Sequence, residues 1–413
     1  MKQKKVSDPA SEPDVALLTG GIDKHYSLGL SLALGSKGVN LDMIGNTEMD
    51  SPEIHRIPTL TFLNLYGNAR QKSSLGRKLL RHLAVYGRLI RYASTATPRV
   101  FHILWNYKFQ FFDRIFLLLY YKALGKKIVF TAHNVNAAER DGSDSLLNRL
   151  SLKIQYRLVD HIFVHTEKMK DQVANDFGVG IDKISIIPFG LNNAVPQTCL
   201  TPMEARQRMR VRDSDKVILF FGRILPYKGL SYLVEAFQRI AFKDDSYRLV
   251  IAGEPKKESM QYWRDIQQTI EREIPVGQVI QDIKFIRDEE VEVYFKSADV
   301  LVLPYTDIFQ SGVLFLAYSF GLPVIATDVG SLRNDIIEHE TGYICRPRDT
   351  VDLARTIETY FQSNLFKTLD QRRTEIRAFA QARNCWDVVS ADTRNVYLQL
   401  LARDNFGNWR PAA

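Results

Sequence analysis

The sequence predicts an α/β protein built from two Rossmann-like, doubly wound domains that face a cleft. The first observation is length, because 413 residues suffice for two or three domains of roughly 100–200 residues each. The second is a pattern of short apolar runs that alternate with helical stretches in two successive series. Since a strand–helix–strand repeat produces parallel strands, each series predicts a parallel sheet.

Composition agrees with a globular protein and excludes several other classes. Hydrophobic residues make up 45% and charged residues 25% of the chain, which excludes disorder, collagen-like repeats and coiled coil. Three cysteines without short spacing exclude a disulfide framework and a Cys-rich zinc site. The apolar run 115–121 is far shorter than the ~20 residues of a membrane span, and no apolar stretch follows the basic residues 1–5. We therefore expect a cytoplasmic protein.

The first series defines an N-terminal domain, residues 14–195, behind a flexible segment 1–13. The second defines a C-terminal domain, residues 196–387, and the linker is expected within 191–215. Helical sequence fills about 351–403, and the last helices, from about 388 to 413, are assigned to the N-terminal domain. The predicted strands are Val15–Leu18, Val39–Ile44, Val100–Trp105, Lys127–Thr131, His161–His165, Lys183–Ile187, Val217–Phe221, Tyr247–Ala252, Ile283–Ile286, Val300–Leu303 and Pro323–Ala326.

The net positive charge of the protein comes entirely from the first half of the chain. Residues 1–200 hold 26 basic and 17 acidic residues, a net charge of +9, and the remainder holds 29 and 30. This asymmetry indicates an anionic partner for the N-terminal half, such as a membrane leaflet, a phosphate ligand or nucleic acid, unless the surface is simply solvated. Without a nucleic-acid motif, we expect no nucleic-acid binding.

Residues Leu75 to Tyr92 contribute much of this charge and form an amphipathic pattern. At 100° per residue, one side carries Leu75, Leu79, Leu83, Tyr86 and Ile90, and the other carries Arg77, Arg81, Arg88 and Arg91. Such a helix can lie on an anionic membrane. Alternatively, its apolar side packs on the sheet and its arginines face water.

The strongest chemical signal lies between Gly222 and Gly229, after a predicted strand and before a helix. Arg223 and Lys228 lie five positions apart in this loop. An Arg offers a bidentate fork to phosphate oxygens, a Lys offers a mobile charge, and a helix N-terminus adds oriented N–H groups. The loop therefore suits a diphosphate, although a basic surface loop remains the alternative. Its residue order is not that of a P-loop.

Weaker signals occupy three other strand ends. Gly20 and Gly21 permit close approach of a ligand to the backbone, but they provide only a fragment of a dinucleotide-binding pattern. His133 and Asn134 follow another strand, where a structural histidine is the common alternative. The segment Gln310–Val313 precedes a helix and is either an ordinary cap or an anion site. We expect no metal site, because no histidine pair has helical ligand spacing.

The order of these loops resembles the retaining glycosyltransferases of family 4, also called group 1, which have the GT-B fold. The resemblance runs from about residue 15 to 400. It rests on Gly20-Gly21, Phe130-Thr-Ala-His133-Asn134, Ile187-Pro-Phe-Gly190, Phe221-Gly-Arg223 with Lys228-Gly229, Ile251-Ala-Gly253, Ala298-Asp299 through Pro304, and Gly321-Leu-Pro323 through Thr327.

The resemblance implies a role for several residues in these loops. The C-terminal domain would bind a nucleotide-sugar donor without a metal or other cofactor, and the N-terminal domain would bind the acceptor. The implied catalytic residues are His133, Arg223 and Lys228; the implied donor contacts also include Gly21, Gly222, Gly253, Ile286, Gln310, Ser311, Gly312 and Val313; the implied acceptor contacts are Asp23, Lys24 and Asn134.

One departure from the family concerns two glutamates that usually precede Gly-x-Pro. Counting back from Gly321 places them at Ile308 and Leu316, so both are absent. Gln310 and the backbone N–H groups of Ser311 to Val313 are then expected to hold the sugar and phosphate in their place.

The resulting expectation is transfer of a sugar, with retention, to a glycan or lipid-linked saccharide in cell-surface or exopolysaccharide synthesis. Peripheral contact with the inner face of the cytoplasmic membrane would follow through Leu75–Tyr92. Two alternatives remain open: a nucleotide-sugar epimerase of the same fold, and a binding protein without catalysis.

Overall fold

The computed structural model describes residues 14–68, 74–192 and 195–406. It divides into two compact units, of which one comprises Met1–Gly190 and Trp386–Ala413 and the other Leu191–Cys385. The sequence placed these boundaries after residues 195 and 387. The segment 1–13 that we expected to be flexible lies outside the described residues, as do residues 193, 194 and 407–413.

The first unit contains a seven-stranded parallel sheet of order β3-β2-β1-β4-β5-β6-β7. Its inner strands are short and buried on both faces, which explains their continuous apolar sequences. The strands are β1 (Asp14–Leu18), β2 (Asn40–Asn46), β3 (Leu60–Gly67), β4 (Val100–Ile103), β5 (Lys127–Thr131), β6 (His161–Val164) and β7 (Ile184–Ile186).

Helices connect these strands, and local sequence signals set several of their ends. The Asp23 side chain caps the first helix by accepting a hydrogen bond from the Tyr26 N–H at 3.0 Å. Thr166 caps the sixth helix, and Gly178 ends it with a φ of 64°. The helices are α1 (Lys24–Ser36), α2 (Leu75–Thr95), α3 (Leu118–Ala123), α4 (Ala137–Arg140), α5 (Leu146–Leu158) and α6 (Glu167–Phe177), and a π-helix spans Phe112–Leu117.

The second unit contains a six-stranded parallel sheet of order β10-β9-β8-β11-β12-β13. Its strands are β8 (Lys216–Phe221), β9 (Tyr247–Ala252), β10 (Val279–Asp282), β11 (Val300–Leu303), β12 (Val324–Thr327) and β13 (Gly342–Cys345). Its helices are α7 (Pro202–Met209), α8 (Leu230–Ala241), α9 (Met260–Glu273), α10 (Asp288–Ser297), α11 (Gly312–Ser319), α12 (Leu332–Asp335), α13 (Thr350–Gln362), α14 (Asn364–Lys367) and α15 (Leu369–Asn384).

The last helix, α16 (Trp386–Phe406), belongs to the first unit. Val389, Val396 and Tyr397 join the hydrophobic core formed by β1, α1 and β2. The Trp386 ring fills the space beside two glycines: a Cβ atom on Gly29 would lie 2.1 Å from it, and one on Gly190 would lie 2.4 Å from it.

Two sequence-based assignments differ from the structure. Residues 283–286 form a loop, and the strand lies directly before them at Val279–Asp282, where it pairs with Leu249–Ala252. The predicted linker 191–215 contains α7, whose capping box joins Thr201 and Glu204. Among the described helices, none has both the length and the apolar character needed to cross a bilayer.

Candidate functional site

In the second unit, three loops meet at the carboxyl edge of the sheet, and glycines permit their contact. Gly229 has a φ of +67°, and a Cβ atom there would lie 1.9 Å from the carbonyl oxygen of Pro304. A Cβ on Gly253 would lie 2.0 Å from the carbonyl oxygen of Gly222. Both distances are impossible for real atoms, so the loops after β8, β9 and β11 can pack this closely only because these positions lack side chains.

Backbone hydrogen bonds hold the same loops together. The Ile224 N–H donates to the Glu254 carbonyl at 3.0 Å, and the Thr306 N–H donates to the Tyr227 carbonyl at 2.8 Å. Residues 226–228 form a single 3₁₀ turn that leads into α8. The position of the Lys228 backbone is thus fixed by both neighbouring loops.

The two predicted phosphate-binding cations differ in their surroundings. Lys228 is half-buried, and its Nζ lies 5.7 Å from the centroid of the Tyr305 ring. The same Nζ lies 3.1 Å from the position that a Cβ on Gly222 would occupy, so it sits over the end of β8. Arg223 is exposed, and within the described ranges its guanidinium makes no hydrogen bond or ion pair. The Arg223 charge therefore remains available to a ligand at this edge, and the Lys228 charge lies at the end of β8.

The N-terminus of α11 adjoins this cation. The Val313 side chain lies 3.8 Å from the same Cβ position on Gly222. Ser311 precedes the helix, is buried, and donates from its hydroxyl to the Tyr305 hydroxyl oxygen at 3.4 Å. The first N–H groups of α11, which begins at Gly312, are free of intrahelical partners and carry partial positive charge. This arrangement can bind an anion.

Gln310 and Asp335 are both half-buried and form a polar pair near the helix N-terminus. Burial raises the pKa of Asp335 to about 6, although hydrogen bonds from Ser331 and Gln310 lower it. The Oε1 atom of Gln310 is buried and has no hydrogen-bond partner in the described part of the chain. That oxygen can accept a hydrogen bond from a ligand hydroxyl.

The remaining donor-side positions lie nearby in sequence but differ in environment. Ile286 lies in the loop before α10 and is 9% exposed, whereas its neighbour Phe285 is 53% exposed. Ile308 and Leu316, which replace the family's usual glutamates, are apolar and buried. These two positions therefore serve the core and cannot supply a carboxylate.

In the first unit, Gly20 and Gly21 form a tight turn after β1. Their φ angles are +63° and +69°, and a Cβ on Gly20 would lie 2.6 Å from the Trp105 carbonyl oxygen. The Gly20 N–H donates to the Tyr66 hydroxyl at 3.3 Å, and the Asn46 amide donates to the Gly21 carbonyl at 3.1 Å. The turn is consequently held from both sides.

His133 lies after β5 in an aromatic setting that sequence reasoning missed. Its ring stacks on Trp105 at a centroid distance of 4.1 Å and meets the Tyr26 ring edge to face at 4.6 Å. Its Nδ1 lies 3.0 Å from Nε2 of His165. Burial lowers the His133 pKa well below its usual value, and His165 lowers it further. His133 is therefore neutral at physiological pH.

The predicted acceptor contacts lie in two separate segments of the first unit. Asp23 is exposed and caps α1, and Lys24 follows it as the first helical residue. The Asn134 side-chain oxygen accepts a hydrogen bond from Arg140 at 3.3 Å. Across the described residues, no group of three or more His, Cys, Asp or Glu side chains is arranged to hold a metal ion.

The chain is similar in sequence to proteins named as glycosyltransferases. The chain is 27% identical over 238 residues to an uncharacterised glycosyltransferase of Methanocaldococcus jannaschii, covering 56% of this chain and 58% of that protein. It is 26% identical over 286 residues to a D-inositol 3-phosphate glycosyltransferase of Corynebacterium efficiens, covering 65% of each chain. The chain thus spans less than two thirds of the length of these relatives.

Solved structures share the fold at low identity. A sucrose-phosphate synthase from Thermosynechococcus elongatus superposes with a TM-score of 0.74 and 19% identity, over 95% of this chain and all of that one. The HepE protein of Anabaena, crystallised with UDP-glucose, superposes with a TM-score of 0.70 and 15% identity, over 95% of this chain and 100% of the other. These similarities establish the GT-B fold.

Family models match both units. Residues 21–194 match the family described as Glycosyltransferase Family 4. Residues 215–363 match the family described as Glycosyl transferases group 1. The chain therefore belongs to the family 4, or group 1, glycosyltransferases.

Proposed function

We propose that the protein transfers a sugar from a nucleoside-diphosphate donor to a glycan or lipid-linked saccharide. The observation that carries this proposal is the position of Lys228 over Gly222, beside the N-terminus of α11. The family match supports the reaction class. The UDP-glucose bound to the HepE protein of Anabaena is a ligand of the proposed kind.

Cleavage of the bond between sugar and diphosphate places negative charge on the leaving phosphate. Lys228, Arg223 and the N–H groups of residues 312 and 313 would stabilise that charge, so the reaction would need neither a metal nor another cofactor. Preorganised charge stabilisation of this kind is usually the largest catalytic contribution. Retention at the anomeric carbon is part of the proposal and comes from the family resemblance.

The other donor contacts are proposed from the family resemblance. Gly21 would approach the diphosphate, Gly253 and Ile286 would contact the nucleoside, and His133 would contact the sugar near the reacting carbon. Gln310, whose buried Oε1 lacks a partner within the described residues, would accept a hydrogen bond from a donor hydroxyl. This contact would replace one made by the absent glutamates.

Substitution of the cations tests the donor site. Removing one charge-stabilising group typically costs ~2.7–4 kcal/mol, so Arg223→Ala or Lys228→Ala should lower turnover roughly 100-fold or more. Arg239→Ala is a matched control, because Arg239 is an exposed cation near the far end of α8. Wild-type transfer rates in both cation variants would refute the assignment.

The same assay separates the alternatives. A transferase consumes donor only when an acceptor is added, whereas an epimerase isomerises the donor alone. A protein that only binds would give calorimetric nucleotide binding with no turnover of any donor.

For the acceptor, we propose a lipid-diphosphate-linked saccharide at the cytoplasmic face of a membrane, used in surface polysaccharide synthesis. The support is electrostatic, because the basic first half of the chain complements an anionic surface. Asp23, Lys24 and Asn134 are the proposed acceptor contacts. The side chain of Leu75, at the start of α2, lies outside the described residues.

The exposed surface of α2 favours the membrane over simple packing on the sheet. Leu79, Leu80 and Leu83 are 51–68% exposed, whereas Val85 and Leu89 form the buried side of the helix. Tyr86, which the sequence grouped with the exposed leucines, is buried. The helix contains basic residues and no acidic one. A helix with exposed leucines and only positive charge suits an anionic lipid surface.

Neighbouring helices extend this apolar surface. The Tyr120 hydroxyl donates to the Ile90 carbonyl at 3.2 Å, which joins α3 to α2. Arg114 of the π-helix donates to Asn148 of α5 at 2.7 Å. Large exposed apolar side chains lie on all of these elements: Leu79, Leu80, Leu83, Ile90, Phe111, Phe116, Leu119, Leu146, Leu147 and Leu150.

Flotation with liposomes tests this contact. We expect binding to vesicles that contain anionic lipid at low salt, and at least tenfold weaker binding for the double variant Leu80→Asp/Leu83→Asp. Phe242→Asp is the matched control, since Phe242 is 71% exposed in the second unit. Recovery of the wild-type protein in the soluble fraction at low salt would contradict the membrane proposal.

A further inference from the structure

The free nitrogen of His133 marks an unfilled hydrogen-bonding position in the first unit. The Nε2 atom is buried and has no hydrogen-bond partner in the described part of the chain. Trp105 covers one face of the ring at 4.1 Å, with the two rings nearly parallel. Because the ring is held by stacking and by the His165 hydrogen bond, Nε2 cannot turn away to find another partner. Buried polar atoms are normally hydrogen-bonded, so an unpartnered one calls for a partner such as a ligand group, an ion or an ordered water.

The hydrogen bonds around His165 determine which proton each ring carries. Nδ1 of His165 lies 3.1 Å from the carbonyl oxygen of Ile187. A carbonyl oxygen can only accept, so Nδ1 of His165 must carry the hydrogen. Burial lowers the pKa of His165 to about 4, so the ring is neutral at pH 7 and its Nε2 has a lone pair.

The same reasoning determines which nitrogen of His133 carries the hydrogen. Since Nε2 of His165 is an acceptor, Nδ1 of His133, 3.0 Å away, must donate. A neutral imidazole carries one hydrogen. The Nε2 atom of His133 is consequently a lone-pair acceptor that faces an unfilled position.

We infer that His165, anchored on the Ile187 carbonyl, is a positioning residue that holds His133 in the Nδ1–H tautomer, so that His133 Nε2 accepts a hydrogen bond from a substrate hydroxyl. The inference rests on the proposed function only for the identity of that hydroxyl as one of the donor sugar. In this tautomer Nε2 of His133 carries no hydrogen, so it cannot donate a proton to the substrate. Protonation of His165 would reverse the direction of the chain and turn His133 Nε2 into a donor.

Histidine NMR tests the tautomer without any activity measurement. The full chain is labelled with ¹⁵N-histidine, and long-range ¹H–¹⁵N correlations are recorded at pH 7.5, with assignments from His133→Gln and His165→Gln. We expect His133 and His165 each to show a protonated Nδ1 and an unprotonated Nε2. A protonated Nε2 on His133, or an imidazolium on either ring, would overturn the inference.

A variant of a neighbouring histidine provides the control. His161 is the first residue of β6, and His165 directly follows this strand. The Nε2 atom of His161 lies 3.0 Å from the Ser185 hydroxyl oxygen. His161→Gln should leave the His133 signals unchanged, whereas His165→Ala should convert them to a mixture of tautomers. His133 signals that stay in the Nδ1–H pattern in His165→Ala would show that His165 does not set the tautomer.

Deoxy donors test the hydroxyl contact. A site that hydrogen-bonds a hydroxyl discriminates strongly against the analogue that lacks it. We expect the wild-type protein to discriminate at least tenfold, by kcat/KM, against one deoxy-sugar donor, and His165→Ala to lose that discrimination while binding nucleoside diphosphate normally. Equal discrimination in both proteins would refute the positioning role. If no donor is turned over at all, the proposed function fails, and the NMR result still decides the tautomer.

Discussion

Replacing Gly229 by alanine would separate backbone strain from the packing of the donor loops. The residue has a φ of +67°, in the left-handed region that costs an L-residue about 1–2 kcal/mol. In addition, its Cβ would lie 1.9 Å from the Pro304 carbonyl oxygen, and Cβ contacts under 3.0 Å are essentially never observed. The loop after β8 must therefore move by about 1 Å relative to the loop after β11.

This displacement moves Lys228, the residue directly before Gly229. Overpacking of this kind costs about 1–3 kcal/mol beyond the backbone strain, so we expect a total loss of about 2–5 kcal/mol in the free energy of unfolding. A misplacement of 1 Å can reduce catalysis about 100-fold. Urea unfolding, calorimetric nucleotide affinity and kcat/KM are the three measurements.

Gly277→Ala is the matched control in the same unit. Gly277 has a φ of +87°, and nothing lies within 4 Å of its Cβ position. This substitution should therefore cost about 1–2 kcal/mol from strain alone and leave nucleotide affinity unchanged. If Gly229→Ala loses no more stability and no more affinity than Gly277→Ala, the close loop packing does not position Lys228.

Two further predictions concern stability. Burial lowers the pKa of His165 from 6.5 to about 4 and that of His102 from 6.5 to about 3. As the pH falls, these histidines are protonated in the unfolded chain before they are protonated in the folded protein, so the free energy of unfolding should decrease by about 2 kcal/mol per histidine between pH 7.5 and 5. Equal free energies of unfolding in urea at both pH values would contradict this. Arg206→Ala should destabilise the second unit by about 3–5 kcal/mol, because it leaves the buried Asp299 carboxylate without the guanidinium 2.7 Å away. Lys243→Ala is the control: it breaks an exposed ion pair and should cost at most about 1 kcal/mol. Equal thermal unfolding midpoints for the two variants would contradict this reasoning.

The strands that the sequence failed to predict all lie at sheet edges. β3 is one of the two edges of the seven-stranded sheet, and β10 and β13 are the two edges of the six-stranded sheet. Central parallel strands are buried on both faces and read as continuous apolar runs, which is why β8, β9 and β11 were predicted correctly. The edge strand β10, Val-Ile-Gln-Asp, is only partly buried, so the neighbouring apolar residues 283–286 gave the stronger but incorrect signal.

In the candidate site, too, features formed by neighbouring residues were predicted, whereas a feature formed by residues distant in sequence was not. The glycine loops around Gly222 and Gly229 were predictable, because strand, loop and helix are contiguous in sequence. The pairing of His133 with His165 was not, because it depends on the register of β5 on β6, in which Val129 lies opposite His161 and Thr131 opposite Phe163. Two histidines that follow adjacent parallel strands are brought to the same edge only after the sheet forms.

The loop that lacks the family's glutamates is held by packing instead. A Cβ on Gly330 would lie 2.0 Å from the Ile308 carbonyl oxygen and 2.7 Å from that of Phe309. The Ser331 N–H also donates to the Phe309 carbonyl at 3.0 Å. The segment after β12 therefore fixes the backbone just before Gln310 without any carboxylate. Since an anion at the start of α11 would be bound by backbone N–H groups, a fixed backbone can supply what the glutamates do not.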